Sequence, residues 1–149
     1  ARQLLTSGGG QIQHLFLSAR AAPDLQDDSE PLRFLDDETF IDHLHQTYGA
    51  LPMAIRESAE LREVFLPILR ADVELLEKYK EARCDPLDCP ISVLGGKSDP
   101  AISKGMLAGW RTRTNTTFKQ HEFSGEHFYI NSEREAVIKT IIDDLAHYF

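Results

Sequence analysis

The stretch Ile91-Ser-Val-Leu-Gly-Gly-Lys-Ser-Asp99-Pro100 decides how this chain folds. Ile91 to Leu94 reads as a short apolar strand, and Gly95-Gly96 stops it in a turn that carries a carboxylate. Upstream, Leu15-Phe16-Leu17 lies within residues 12–19 as a second continuous apolar run. Such a run suits a strand covered on both faces, as in a parallel sheet. Downstream, residues 106–113 read as a helix containing Trp110, and residues 116–123 as a third strand. Ser132 and Glu135 have the spacing of a capping box, and Val137, Ile138, Ile141, Ile142 and Leu145 give an amphipathic last helix. Strands alternating with helices predict an α/β layered fold with a mostly parallel sheet.

Between the first two strands lies a long helical insert, residues 35–80. Asp36 can cap its first helix, with Leu35 and Phe40 as the hydrophobic staple. Phe40, Ile41, Leu44 and Tyr48 then share a face. A second helix carries Leu61, Val64, Phe65, Ile68, Leu69, Leu75, Leu76 and Tyr79 near a 3.6-residue period, and Pro67 predicts a kink or break in it. Residues 22–31 are polar and acidic and read as a loop. Residues 1–6 read as the tail of a helix, cut off by Gly8-Gly9-Gly10.

The 149 residues suffice for one domain that buries roughly 70% of its unfolded surface. With 42% hydrophobic and 27% charged residues, the composition excludes a disordered chain. Its apolar runs are far below the roughly 20 residues a bilayer core demands, so no membrane span is expected. A net charge of −8, from 16 basic and 24 acidic residues, argues against nucleic acid and anionic lipid as partners. The sequence opens without a secretory leader and has two cysteines, Cys84 and Cys89. Unpaired thiols and a cytoplasmic location are therefore expected.

In parallel sheets, ligands sit beyond the carboxyl ends of the strands. Asp99 follows the strand 91–94, and His127 follows the strand 116–123 in Ser124-Gly-Glu-His127-Phe128. A carboxylate and an imidazole on consecutive strand ends suit an acid–histidine pair, in which the acid fixes the tautomer and orients the ring. Conformational preference alone also places Asp and Gly in such turns.

Several motifs then occur in order: Phe65-Leu-Pro-Ile-Leu-Arg-Ala-Asp72, Asp88-Cys-Pro-Ile, Leu94-Gly-Gly, Asp99-Pro100, Gly109-Trp110 and Phe123-Ser-Gly-Glu-His127-Phe128. Phe16-Leu-Ser-Ala-Arg20, Leu35-Asp-Asp and Gly49-Ala-Leu-Pro52 precede or interleave with them. Together they resemble the type II (external) thioesterases of nonribosomal peptide and polyketide synthesis, which are α/β-hydrolases. That resemblance implies a triad in chain order Ser, Asp, His, with Asp99 as the acid, His127 as the general base and residues 35–80 as a helical lid. It implies no cofactor and no metal. The substrate it implies is an acyl group on the phosphopantetheine arm of a carrier protein, and the reaction is editing hydrolysis.

The nucleophile elbow Gly-x-Ser-x-Gly does not occur among the 149 residues. The chain is therefore expected to be the C-terminal portion of one such domain, supplying acid and base but inactive alone. Ser18, Ser98 and Ser124 lie outside any elbow and read as turn or strand-end hydrogen bonders. The rival readings are another α/β-hydrolase, an esterase or lipase, and a non-catalytic relic that still docks carrier protein. Gly96-Lys97-Ser98 is not a phosphate loop, since the glycine required five residues earlier is Ile91. His43 and His45 cannot share a helix face, so a surface role fits them better than zinc. Trp110 reads as a packed aromatic.

Overall fold

Leu15–Ser18 (β1), Ile91–Gly96 (β2) and Phe118–Phe123 (β3) pair in the order β1-β2-β3, both pairs parallel, in a computed structural model of the protein. The structure describes residues 1–8, 10–25, 31–49, 51–79 and 85–148. It divides into two compact units, Asp27–Ala82 and the remainder, Ala1–Gln26 with Arg83–Phe149.

The sheet unit has helices on both faces, as the apolar strands require. The pairing sets Leu15 beside Ile91 and Phe118, and Ser92 beside Lys119, so alternate residues sort to opposite faces. Ile91 and Val93 bury one face against Leu107 of the helix Lys104–Ala108. Trp110 packs there too, and its indole Nε1 donates to the Arg20 carbonyl at 2.8 Å. On the other face Leu94 and Phe123 meet Tyr129, from the short helix Tyr129–Ser132, and Val137, from the last helix Arg134–Leu145. The first helix, Arg2–Thr6, is tied on by Arg2, which donates to the Asp85 carbonyl at 2.6 Å. Numbered by position in the chain, the helices beginning at Arg2, Lys104, Tyr129 and Arg134 are α1, α5, α6 and α7.

The second unit holds α2 (Asp37–Tyr48), α3 (Met53–Glu57) and α4 (Ala59–Lys78). Asp36 caps α2 as expected, accepting from the amides of Glu38 and Thr39. Phe40, Ile41 and Leu44 are buried, with Leu35, Leu66, Leu69 and Val73 packed on them. Arg70 donates to the Leu35 carbonyl and to Asp37, which fastens α4 to the start of α2.

Several expectations need correction. Strand β2 runs on through Gly96, while β1 and β3 begin three and two residues later than read. The capping box does not form. Ser132 belongs to α6 and its hydroxyl donates back to the Tyr129 carbonyl, so Glu133 takes the cap position of α7 without a side-chain bond. The helix read as 106–113 starts at Lys104, capped by Ser103, and tightens to a 3-10 turn over Gly109–Arg113. Pro67 does not break α4. It sits on an exposed side of the helix, one turn after the exposed Glu63. The packed face of α4 is Leu66, Leu69 and Val73, while Leu61, Val64, Phe65, Ile68, Leu75 and Leu76 are exposed. In the last helix Val137 is buried but Ile138 and Ile142 are exposed. Cys84 and part of the 22–31 loop lie outside the described residues. No helix among the described residues is long and apolar enough to cross a membrane.

Candidate active site

Strand β2 ends at Gly96 because the chain must turn sharply beneath the segment that follows β3. A Cβ on Gly96 would overlap the carbonyl oxygens of Gly125 and Glu126, so only glycine fits there. The same close approach lets the Ser98 amide donate to the Gly125 carbonyl at 3.0 Å. Gly125 itself has a φ of 107°. Two strand-end segments, 97–102 and 124–128, are thus locked together by backbone alone.

On that platform the Asp99 side chain is fully buried. Its Oδ1 accepts from the amides of Ala101 at 2.8 Å and Ile102 at 3.1 Å, which aims the carboxylate. The other oxygen, Oδ2, lies 2.9 Å from His127 Nδ1. His127 keeps 16% side-chain exposure, and the Phe128 ring stands edge-on to it, centroids 5.1 Å apart. A carboxylate that accepts at Nδ1 requires the hydrogen there, and in the neutral ring the acceptor lone pair is then on Nε2. The arrangement can therefore take a proton at Nε2 and hold the resulting imidazolium against a fixed negative charge. The structure brings Asp99 and His127 together, and both rise from consecutive strands of one sheet. Ser98 and Ser124 hold turn positions beside them.

A family model for the thioesterase domain matches residues 1–145. The chain belongs to the thioesterase domain family. Linear gramicidin dehydrogenase LgrE of Brevibacillus parabrevis is 34% identical to this thioesterase domain over 151 residues, covering 99% of the chain and 57% of the relative. Thioesterase PikA5 of Streptomyces venezuelae is 32% identical over 145 residues, covering 97% and 51% respectively. Among solved structures, YbtT, a type II thioesterase from the yersiniabactin NRPS/PKS pathway, superposes with a TM-score of 0.86 at 31% identity. That match covers 99% of this chain and 59% of YbtT. The chain spans about half the length of the curated relatives it matches.

A second polar centre lies on the α7 face of the sheet, and the motif reading passed over it. Asp144, 4% exposed, accepts from Ser92 at 2.6 Å, Lys119 at 2.6 Å and His121 at 2.9 Å. Burial alone would raise its pKa, but these hydrogen bonds outweigh that and hold it at about 2. Ser92, fully buried, also meets His14 Nε2 at 2.9 Å. Since Ser92 donates its only hydrogen to Asp144, His14 must donate from Nε2. Its buried Nδ1 has no hydrogen-bond partner among the described residues. Burial accordingly pushes the His14 pKa down, with Lys119, His147 and His121 acting the same way against Asp144. The group is structural: Ser92 at its centre is fully buried and bonded to Asp144 of α7. One signal was available in the sequence. Asp143-Asp144 puts two acids in the last turn of a helix, where the macrodipole disfavours them unless a partner compensates.

Proposed function

We propose that this thioesterase domain hydrolyses acyl thioesters carried on the phosphopantetheine arm of a carrier protein, as an editing enzyme of peptide or polyketide assembly. The observation that carries the reading is the buried Asp99 carboxylate, pinned by two amides and 2.9 Å from His127 Nδ1. In this scheme a serine supplied from outside the 149 residues attacks the thioester carbonyl. His127 Nε2 takes the hydroxyl proton as the Ser Oγ–carbon bond forms, and returns it to the sulfur as the carbon–sulfur bond breaks. The thiol leaves on the carrier arm. Water then gives a proton to His127 and its oxygen to the acyl carbon, and the serine regains a hydrogen as the free acid departs. Asp99 stays ionised throughout, holding the tautomer and stabilising the imidazolium. No metal or diffusible cofactor enters any step.

Residues 35–80 act as a lid in the same reading, the whole chain being the C-terminal part of one domain in the cytoplasm. The apolar side chains that α4 leaves exposed, among them Val64, Ile68 and Leu75, support a surface that meets acyl chains. The test uses the complete protein that contains this chain. It should release thiol from acyl-loaded carrier protein faster than it cleaves the matching simple ester. His127→Ala should abolish that release while leaving carrier binding intact. Near-normal turnover in His127→Ala would remove the mechanism, and faster cleavage of the simple ester would make the protein an esterase instead.

A further inference from the structure

Loops at strand ends are ordinarily the mobile part of a fold, yet a proton relay needs its histidine held within a fraction of an ångström. The 124–128 segment is fixed from below by Gly96 and Ser98. Its other side is fixed by Tyr129, the second residue after His127. The Tyr129 amide donates to the Glu126 carbonyl at 3.1 Å, which turns the chain over immediately behind the histidine. Its ring, 2% exposed, lies flat on Phe123 at the end of β3, with centroids 5.3 Å apart and 3° between planes. The ring then spans Leu94 of the middle strand, and the phenol oxygen lies 2.7 Å from Ser18 Oγ at the end of β1.

Ser18 is itself held in an unusual place. Ala19, directly after it, adopts a φ of 47°, the one non-glycine residue with positive φ among those described. An alanine persists there only when its surroundings over-determine the backbone, and strain of this kind gathers at functional sites. The Ala19 amide donates to the Leu94 carbonyl at 2.9 Å, which pins the exit of β1 to β2. The tie therefore runs from the loop that bears His127, across the middle strand, to a fixed point on the first strand.

We propose that Tyr129 and Ser18 are positioning residues for the acid–base pair, their hydroxyl–hydroxyl bond setting where the His127 ring stands relative to Asp99. The proposal rests on Asp99 and His127 being that pair. Burial pushes the Tyr129 phenol up, the Ser18 bond opposes, and the Asp99 charge adds to the upward push. The phenol thus stays protonated and neutral beside the carboxylate, free to act as a fixed strut instead of competing for the proton that His127 handles.

The experiment is a double-mutant cycle in the complete protein with Tyr129→Phe, Ser18→Ala and the pair. Tyr129→Phe keeps the ring on Phe123 and removes one oxygen. Each single variant should lower kcat roughly ten-fold with KM unchanged, and the double variant should be no worse than either alone. A second readout does not depend on turnover. The imidazole Nδ1 proton of His127, sheltered by Asp99 in the parent, should broaden through solvent exchange in both variants. Unchanged kcat with an unchanged proton signal would overturn the proposal, as would additive losses that track only the fraction unfolded. If the parent protein shows no turnover, the functional reading fails, and the proton signal still decides whether the tie positions His127.

Discussion

Asp144→Asn should weaken the sheet unit by roughly 2 kcal/mol at neutral pH, and the loss should disappear in acid. The magnitude follows from the carboxyl being held at about 2 when its ordinary value is 3.8, at about 1.4 kcal/mol for each pH unit of difference. At 4% exposure little solvent screening reduces it. The sign follows from the lowered pKa: the folded state prefers the ionised form, so the contribution is complete above pH 3.8 and is lost as pH falls toward 2. Asparagine has nearly the same shape but one acceptor oxygen. If that oxygen turns to Lys119, the amide nitrogen faces His121 and Ser92, both of which donate to the carboxylate in the parent. Two donors aimed at each other beside the buried Ser92 cost about as much as an unmade hydrogen bond. Lys119 is 41% exposed and can turn to water, so the loss is kept below that of a fully buried pair.

Trp110 makes the assay local. It is the one tryptophan among the 149 residues and packs on the sheet. Urea unfolding followed by its fluorescence therefore reads the sheet unit and not the helical one. Curves for parent and variant should stand roughly 2 kcal/mol apart at pH 7 and converge near pH 2. A separation under about 0.5 kcal/mol at pH 7, or one that persists unchanged into acid, would refute the account of Asp144 as an ionised anchor.

His14, whose pKa burial lowers from 6.5, should make the same unit lose stability as pH falls below 6.5, because the unfolded chain then takes a proton the folded one refuses. Replacing His14 by Gln should flatten the urea midpoint between about pH 7 and 5. Gly96→Ala should drive the 124–128 segment off Asp99 and cut turnover of the complete protein by about 100-fold or more, read as kcat. Amide exchange across α4 should be faster than in β2, because α4 buries none of its residues whereas β2 buries five of its six. Equal protection in both would remove residues 35–80 as a lid.

The parallel sheet was legible because Leu15, Phe16 and Leu17 form an unbroken apolar run, which only cover on both sides can satisfy. Strand ends were not, since pairing and local hydroxyl bonds set them. Thr116 and Thr114 have β-forming side chains, yet the Thr114 hydroxyl donates to the Cys89 carbonyl and accepts from the Thr116 amide, so β3 begins only at Phe118. Ser132 and Glu135 satisfied the capping pattern, but a preceding turn of helix over Tyr129–Ser132 had already claimed the serine. Asp99 and His127 could be read from position and motif because each closes a strand. The Asp144 cluster could not, since its partners are 52, 25 and 23 residues distant and meet only once the sheet is formed. The Ser18–Tyr129 tie spans 111 residues and was hidden for the same reason.

The last helix touches both centres, and its length sets how far they can influence one another. Val137, in its first turns, packs with Tyr129 and Leu94 near the ends of the strands. Asp144, seven residues on, bonds Ser92 and Lys119, which pair with each other near the strand starts. At about 1.5 Å per residue the two positions are separated by roughly 10 Å of helix. Freeing the Asp144 end removes a tie from the C-terminal turn of α7, but leaves Val137 seated against Tyr129. Catalysis should then be spared where stability is not. In the complete protein, well below its unfolding temperature, Asp144→Asn should keep kcat within about two-fold of the parent, since sites this far apart with no shared partner behave nearly additively. Tyr129→Phe should show the reverse, a large loss of kcat with a small loss of stability. A fall in kcat for Asp144→Asn that matched the fall in stability would mean that α7 transmits strain as a rigid bar, and the independence argued here would be lost.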